Sequence, residues 1–226
     1  MTRPSLGVLL SFNGGYVDTM GFLALAGLFT AHVTGNFVTL GAALVFGTTG
    51  VIAKLLALPV FCIVILLTSV LSLRLKLAGR RAVVTLLSLK LVLFTIAAVA
   101  AFVHGPVLNG DSPAAIAIGM TLVTAMAIQN GLHRAYLSKL PPTTLMTGTT
   151  TQIMIDLADL ISGTASDHMH EVRKRLRRMA TSLLSFAIGC AAAALAFVAS
   201  PTWCFVVPPV LVALSFLTSS GEPSKA

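Results

Sequence analysis

Charge is what this sequence has least of. Only 10% of its 226 residues are Asp, Glu, Lys or Arg, where a soluble domain carries about 25%. A deficit of that size argues against a soluble globular protein, because even a large core leaves a surface to be solvated. Acidic groups are scarcest: seven, against fifteen Lys and Arg, for a formal net charge of +8. Cysteine is nearly absent. Cys62, Cys190 and Cys204 are widely spaced, in or at the ends of apolar stretches, which implies neither a disulfide framework nor a metal-ligand pattern. Also missing are a nucleophile–base pair, a phosphate-binding glycine loop, a zinc signature and a dinucleotide fingerprint. No enzymatic chemistry, cofactor or metal is therefore expected. The basic excess does not point to nucleic acid, because Lys and Arg are confined to short breaks between apolar runs, where membrane orientation requires them.

What fills the chain instead is hydrocarbon, with 56% hydrophobic residues and a mean hydropathy of +0.95. Eight apolar segments emerge, at 6–28, 34–46, 51–73, 82–103, 114–137, 143–161, 179–199 and 203–217. Several approach the roughly 20 residues that cross a bilayer as a helix. The expected fold is all-α: a polytopic transmembrane helix bundle forming one domain over 1–226, with the lipid bilayer as its first partner. Arg3, the apolar 6–12 stretch, Ala24 and Ala26 loosely imitate a signal peptide. Asn13, Gly14, Gly15 and Asp18 interrupt that pattern, so the segment reads as a retained first helix. Residues 104–113, with two prolines and two glycines, read as a loop between halves.

The halves themselves look like repeats, about 5–103 and 113–219. FTAHVTGNFVTLGAALVF (29–46) can be laid on PPTTLMTGTTTQIMIDLADL (141–160), superposing Thr34-Gly35 on Thr147-Gly148. Each stretch follows a helix with a polar centre, Asp18 in one and Gln129 with Asn130 in the other, and precedes two apolar segments. Charge then tests the topology. Arg74, Lys76, Arg80 and Arg81 place one loop in the cytoplasm, and Arg173, Lys174, Arg175, Arg177 and Arg178 place another there. Three segments lie between those loops, and three full crossings would separate them. One segment must therefore turn back, and the least apolar is 143–161. If its counterpart 34–46 does likewise, about six crossings and two short broken or re-entrant helices remain, with both termini cytoplasmic. An odd number of crossings per half makes the repeats inverted.

The run GGYVDTMGFLALAGLFTAHVTGNFVTLGAAL (14–44) closely resembles the opening signature of the YoaK family, small bacterial membrane proteins classed as a domain of unknown function. QNGLHRAYLSKLPPTTLMTGTTTQIMIDLADL (129–160) is similar to that family's second signature, although Gly131 stands where a small apolar residue is expected after Asn130. The resemblance covers nearly the whole chain. It implies a bacterial plasma (inner) membrane location and supplies no reaction or substrate.

An ionisable group at membrane depth is costly and calls for a reason. Asp18, near the middle of the first helix, reads either as a proton, cation or solute site or as a buried carboxylate bonded to a neighbouring helix. Thr34, Gly35 and Asn36 in one half, with Thr147, Gly148 and Thr149 in the other, suit sharp backbone breaks with N-caps. Half-helices starting there would aim free N–H groups into the membrane. The alternative is close packing of small residues. His32 precedes the first turn and could hydrogen-bond a solute or exchange a proton. The expected binding set is thus Asp18, His32, Thr34, Gly35, Asn36, Asn130, Thr147, Gly148 and Thr149. Thr149, Gln152, Asp156 and Asp159 share one helical face, with both carboxylates expected to be solvated at its cytoplasmic end. Lys90 is expected to snorkel to the cytoplasmic interface. Asp111, Asp167, His168 and His170 are assigned to loops.

These features favour a transporter or channel for an unknown small solute. The competing readings are a non-transporting scaffold or assembly factor, built on close Gly and Ala packing such as 189–194, and an intramembrane enzyme acting on a lipid or quinone. A homo-oligomer is compatible with all three.

Overall fold

The computed structural model describes residues 5–163 and 168–219; Asp167 lies outside them. The described residues are helical with short links and no strand. In order they form α1 (Leu6–Ala24), α2 (Gly35–Phe46), α3 (Val51–Leu77), α4 (Ala82–His104), α5 (Pro113–Tyr136), α6 (Met146–Ser162), α7 (Met169–Ala199), a 3-10 turn (Trp203–Val206) and α8 (Val207–Ser219). Four of these, α3, α4, α5 and α7, are long and apolar enough to cross a membrane. Large apolar side chains cover much of their outer surface, among them Leu66, Val92, Val99 and Leu195. A contiguous apolar exterior of this extent is what a lipid solvent permits and water does not.

Two boundaries differ from the sequence reading. α7 starts ten residues before the apolar run, so His170 and the basic cluster 173–178 are helical rather than in a loop. Arg and Lys are good helix formers, and the helix simply continues beyond the apolar stretch. α3 likewise runs on to Leu77, carrying Arg74 and Lys76 in its last turn, where the helix dipole favours cations.

The principal packing pairs are α1 with α7, α3 with α5, α4 with α5, α6 with α7, α4 with α8, α1 with α8 and α2 with α3, and α1 also touches α5. The α1–α7 crossing is the closest approach. A Cβ at Gly15 would stand 2.1 Å from the Phe186 carbonyl oxygen, and one at Gly189 would stand 2.2 Å from that of Phe12. Only glycine fits at either position. Along the same seam Ser11 Oγ and Ser182 Oγ are 2.7 Å apart, and Ser185 Oγ donates to the Val8 carbonyl at 2.8 Å.

Contacts at the bundle ends decide which helices traverse it. Lys54, in the first turn of α3, donates to the Ala26 carbonyl just past α1 at 2.7 Å. The Asp111 carboxylate, between α4 and α5, accepts from the Gly50 and Ile52 amides at 2.8 and 2.9 Å. The end of α1 and the start of α3 therefore share one end of the bundle, and α2 does not cross between them. At the opposite end, Ser182 of α7 donates to the Pro142 carbonyl just past α5 at 3.2 Å. So α6 does not cross either.

Candidate functional site

Both short helices begin inside the bundle, because the link before each folds back along the preceding helix. After α1 the chain returns as far as Asp18, six residues before the helix end, or about 9 Å at the α-helical rise. There the carboxylate accepts from the amides of Thr30 and Ala31, both at 2.8 Å, and of His32 at 3.3 Å, and from Thr30 Oγ1 at 3.3 Å. His32 Nδ1 is 2.9 Å from the second carboxylate oxygen, so the tautomer with the proton on Nδ1 is selected. Asn36 completes the link: its amide group donates to the Phe29 carbonyl and accepts from the Phe29 amide, both at 2.8 Å. Asp18 is buried, and a carboxylate with this many donors is anchored by them.

After α5 the chain folds back in the same way. Thr144 Oγ1 donates to Asn130 Oδ1 at 2.7 Å, and Gln129 Nε2 donates to Thr143 Oγ1 at 3.0 Å. These partners lie six and seven residues before the end of α5. Each link also packs on the first helix of the other half. Leu28 covers α5 at Gly119, where a Cβ would meet its side chain at 2.6 Å. The Thr143 carbonyl covers α1 at Gly14, where a Cβ would meet it at 2.4 Å.

The predicted binding set is only partly brought together. Asp18, His32 and Asn36 form one cluster, and Asn130 belongs to the other link. Thr34, Thr147 and Gly148 face outward, with no atom within 4 Å of a Cβ at Gly148. The capping expectation holds by position at Thr34, the N-cap of α2, and is corrected elsewhere. Thr34 precedes α2 but makes no side-chain cap bond, while the amides of Gly35, Asn36 and Phe37 are taken by the carbonyls of His32, Val33 and Thr34. Thr147 and Thr149 lie inside α6, whose N-cap is Leu145, and the Thr149 hydroxyl bonds back to the Leu145 carbonyl. The chain tightens through short turns before α2, which use up donors that an open helix start would leave free.

Two other expectations also fail. Lys90 does not snorkel: it is 1% exposed and points from α4 into the bundle centre. Asp156 is fully buried on α6, where its two oxygens accept from Arg175 Nε at 2.8 Å and Nη2 at 2.6 Å, with Gln152 adding a bond at 2.7 Å. The Arg175 hydrogen bonds hold this carboxyl below its ordinary pKa, against the opposing effect of burial. Asp156 thus clamps α6 to α7 instead of being solvated.

The sequence reading missed how Lys90 and Asn13 meet Gln129 in a polar centre that joins α1, α4 and α5. Lys90 Nζ donates to Gln129 Oε1 and lies 5.2 Å from the centre of the Phe94 ring. Asn13 Nδ2 donates to the same Gln129 oxygen at 3.3 Å, while Gln129 Nε2 also donates to the Leu10 carbonyl at 2.9 Å. Asn13 Oδ1 is buried with no donor among the described residues. Among the described residues no carboxylate lies within ion-pair distance of Lys90; the ion pairs there are His32–Asp18 and Arg175–Asp156. The available signal was register: Lys90 shares the α4 stripe with Leu86, Phe94, Ala97 and Ala101, all buried. Because α4 is apolar all round, hydropathy alone does not show which stripe faces inward.

No group of three or more metal-ligating side chains occurs among the described residues. No curated protein and no solved structure matches the chain. A family model described as a protein of unknown function, DUF1275, matches residues 6–218, and with nearly its whole length covered the chain belongs to that family, which is also known as the YoaK family.

Proposed function

We propose that this membrane protein is a small-solute transporter or channel of the bacterial inner membrane, built from two inverted halves with both termini in the cytoplasm. The observation that carries the reading is the pair of short helices, α2 and α6, each starting about 9 Å inside the bundle from a link anchored on a polar side chain of the preceding helix. Discontinuous helices in corresponding places of two halves are how secondary transporters build a midplane site. The packing supports a two-fold relation between the halves. Exchanging α1, α2, α3 and α4 with α5, α6, α7 and α8 turns α1–α7 into α5–α3, α1–α8 into α5–α4 and α2–α3 into α6–α7, while α1–α5 and α4–α8 map onto themselves.

In this reading Asp18 and His32 form the proton- or solute-facing pair of the first half. Asn36 fixes their link, and Asn130 with Thr144, which anchor the second link, form the counterpart. Lys90, Gln129 and Asn13 supply the polar groups between the halves. Opening the path requires one link to move off the helix it covers, which the fold-back geometry allows without unwinding a spanning helix.

The test is flux in proteoliposomes across a panel of small ions, amino acids and organic acids, with His32→Gln and Lys90→Met beside the unaltered protein. Flux above protein-free vesicles, reduced at least about tenfold in one variant of unchanged thermal stability, is the expected result. No flux of any solute, or flux indifferent to both variants, would sink the proposal.

A further inference from the structure

One cavity in the molecule has a lining at odds with its polar surroundings. It lies at the basic end of the bundle, where the first turn of α1, the link after α5 and α7 converge, and has a volume of about 180 Å³. Leu140, Pro141 and Val8 form an apolar wall, while Arg177, Arg178 and Thr181 line the side contributed by α7. The two arginines differ from their neighbour Arg175. Arg175 is spent on Asp156, whereas neither Arg177 nor Arg178 has a carboxylate within 4 Å among the described residues. No acidic side chain lines the cavity, and the first turn of α1 carries none. A second source of positive potential meets the guanidinium groups there. In the first turn of α1 the Val8 and Leu9 amides are taken by the Ser5 carbonyl, so only those of Leu6 and Gly7 remain at the positive end of the helix dipole, and the Leu140 side chain packs over Gly7.

We propose that this cavity binds a phosphate oxyanion, and that its natural source is the headgroup of an anionic phospholipid from the leaflet at the basic end. Guanidinium groups match phosphate oxygens in charge and fork geometry. The apolar wall distinguishes a lipid from a free ion, because it offers a surface for the glycerol and the first acyl carbons that inorganic phosphate cannot use. Position agrees. Arg177 and Arg178 immediately precede the apolar run of α7, at the depth where headgroups lie. A lipid held here bridges α1, α7 and the link that carries Thr143 and Thr144, so its occupancy is coupled to the fold-back of that link.

The experiment uses detergent-purified full-length protein, with lipid binding followed by native mass spectrometry and thermal stability followed in parallel. The probes are phosphatidylglycerol, phosphatidylcholine and inorganic phosphate. The comparison is between R177Q/R178Q and R173Q/K174Q, which removes the same charge from α7 outside the cavity. The expected result is one tightly retained phosphatidylglycerol, with stabilisation, in the unaltered protein and in R173Q/K174Q. In R177Q/R178Q its affinity should fall about tenfold or more, while stability in phosphatidylcholine is unchanged. Stabilisation by inorganic phosphate alone, lost in R177Q/R178Q, would retain the oxyanion site and replace the lipid by a free ion. Equal losses in both double variants would reduce the effect to general attraction of a basic surface and overturn the proposal, as would equal retention of phosphatidylcholine.

Discussion

Replacing Gly15 by alanine tests whether the α1–α7 crossing holds the bundle together. The added Cβ would sit 2.1 Å from the Phe186 carbonyl oxygen, against an ordinary contact that begins near 3.4 Å. The obstacle is backbone, so no rotamer change relieves it, and the helices must separate locally by the difference, about 1.3 Å. A shift of that size stretches the 2.7 Å Ser11–Ser182 contact to about 4 Å, outside hydrogen-bond range. It also strains the 2.8 Å bond from Ser185 to Val8. Overpacking costs about 1–3 kcal/mol, and each interhelical bond in a membrane protein is worth about 0.6 kcal/mol. The expected destabilisation of Gly15→Ala is therefore about 2–4 kcal/mol.

Reversible unfolding in mixed micelles, followed by circular dichroism against the mole fraction of sodium dodecyl sulfate, measures it directly. Gly41→Ala is the control, since a Cβ there meets nothing within 4 Å, and it should stay within about 1 kcal/mol of the unaltered protein. Gly189→Ala meets the Phe12 carbonyl at 2.2 Å and should behave like Gly15→Ala. The double variant should cost less than the sum, because the first substitution already parts the helices. If Gly15→Ala and Gly41→Ala unfold together, the α1–α7 crossing is not close enough to exclude a Cβ and does not hold the bundle together.

Three further outcomes are expected. Asp18→Ala leaves the amides of Thr30, Ala31 and His32 without their acceptor, which at about 1–3 kcal/mol per buried group should cost at least about 3 kcal/mol in the same unfolding assay; Asp18→Asn keeps one acceptor oxygen and should cost less. The Asp156 carboxyl is held below its ordinary pKa by Arg175, so its contribution to docking α6 is fully present above the ordinary carboxylate range. That contribution is lost as pH falls through the range toward the depressed folded value. Protection factors in α6, taken against the pH-dependent intrinsic exchange rate, should accordingly fall on acidification, and Arg175→Gln should lower them at neutral pH and flatten the dependence. Single cysteines at Thr49, Asp111 and Ser200 in a Cys-free background should be labelled from one side of the membrane and one at Lys139 from the other. Labelling of Lys139 on the same side as Thr49 would refute the assignment of bundle ends.

Much of the architecture is legible in the sequence because the solvent imposes it. A bilayer requires long apolar runs and every backbone group bonded within its helix, so composition and run length already imply a helical bundle. The positions of the basic clusters imply that one segment between them turns back, with 143–161 its least apolar candidate and 34–46 its counterpart in the repeat, and the end-on contacts of Lys54 and Ser182 agree with both. Asp18 and His32 stand out because an ionisable group among apolar residues is conspicuous in a linear string, and Asn36 because it abuts the Thr-Gly turn.

What the string does not carry is facing. In a helix that is apolar on every side, the inward stripe is set by its neighbours, so only tertiary packing turns Lys90 toward Gln129 and buries it. The same holds for Asp156, whose helical spacing allows either a solvated end or the clamp that Arg175 makes from the adjacent helix. Backbone breaks are likewise undecided locally: Thr34-Gly35 straddles the start of its helix while Thr147-Gly148 lies inside one, although the dipeptides are identical. The sequence by itself determined a helical membrane bundle and the scarcity of its polar groups, because water and lipid sort residues by type. The tertiary structure alone decided which polar groups meet, because burial and hydrogen-bond partners depend on how neighbouring helices cross.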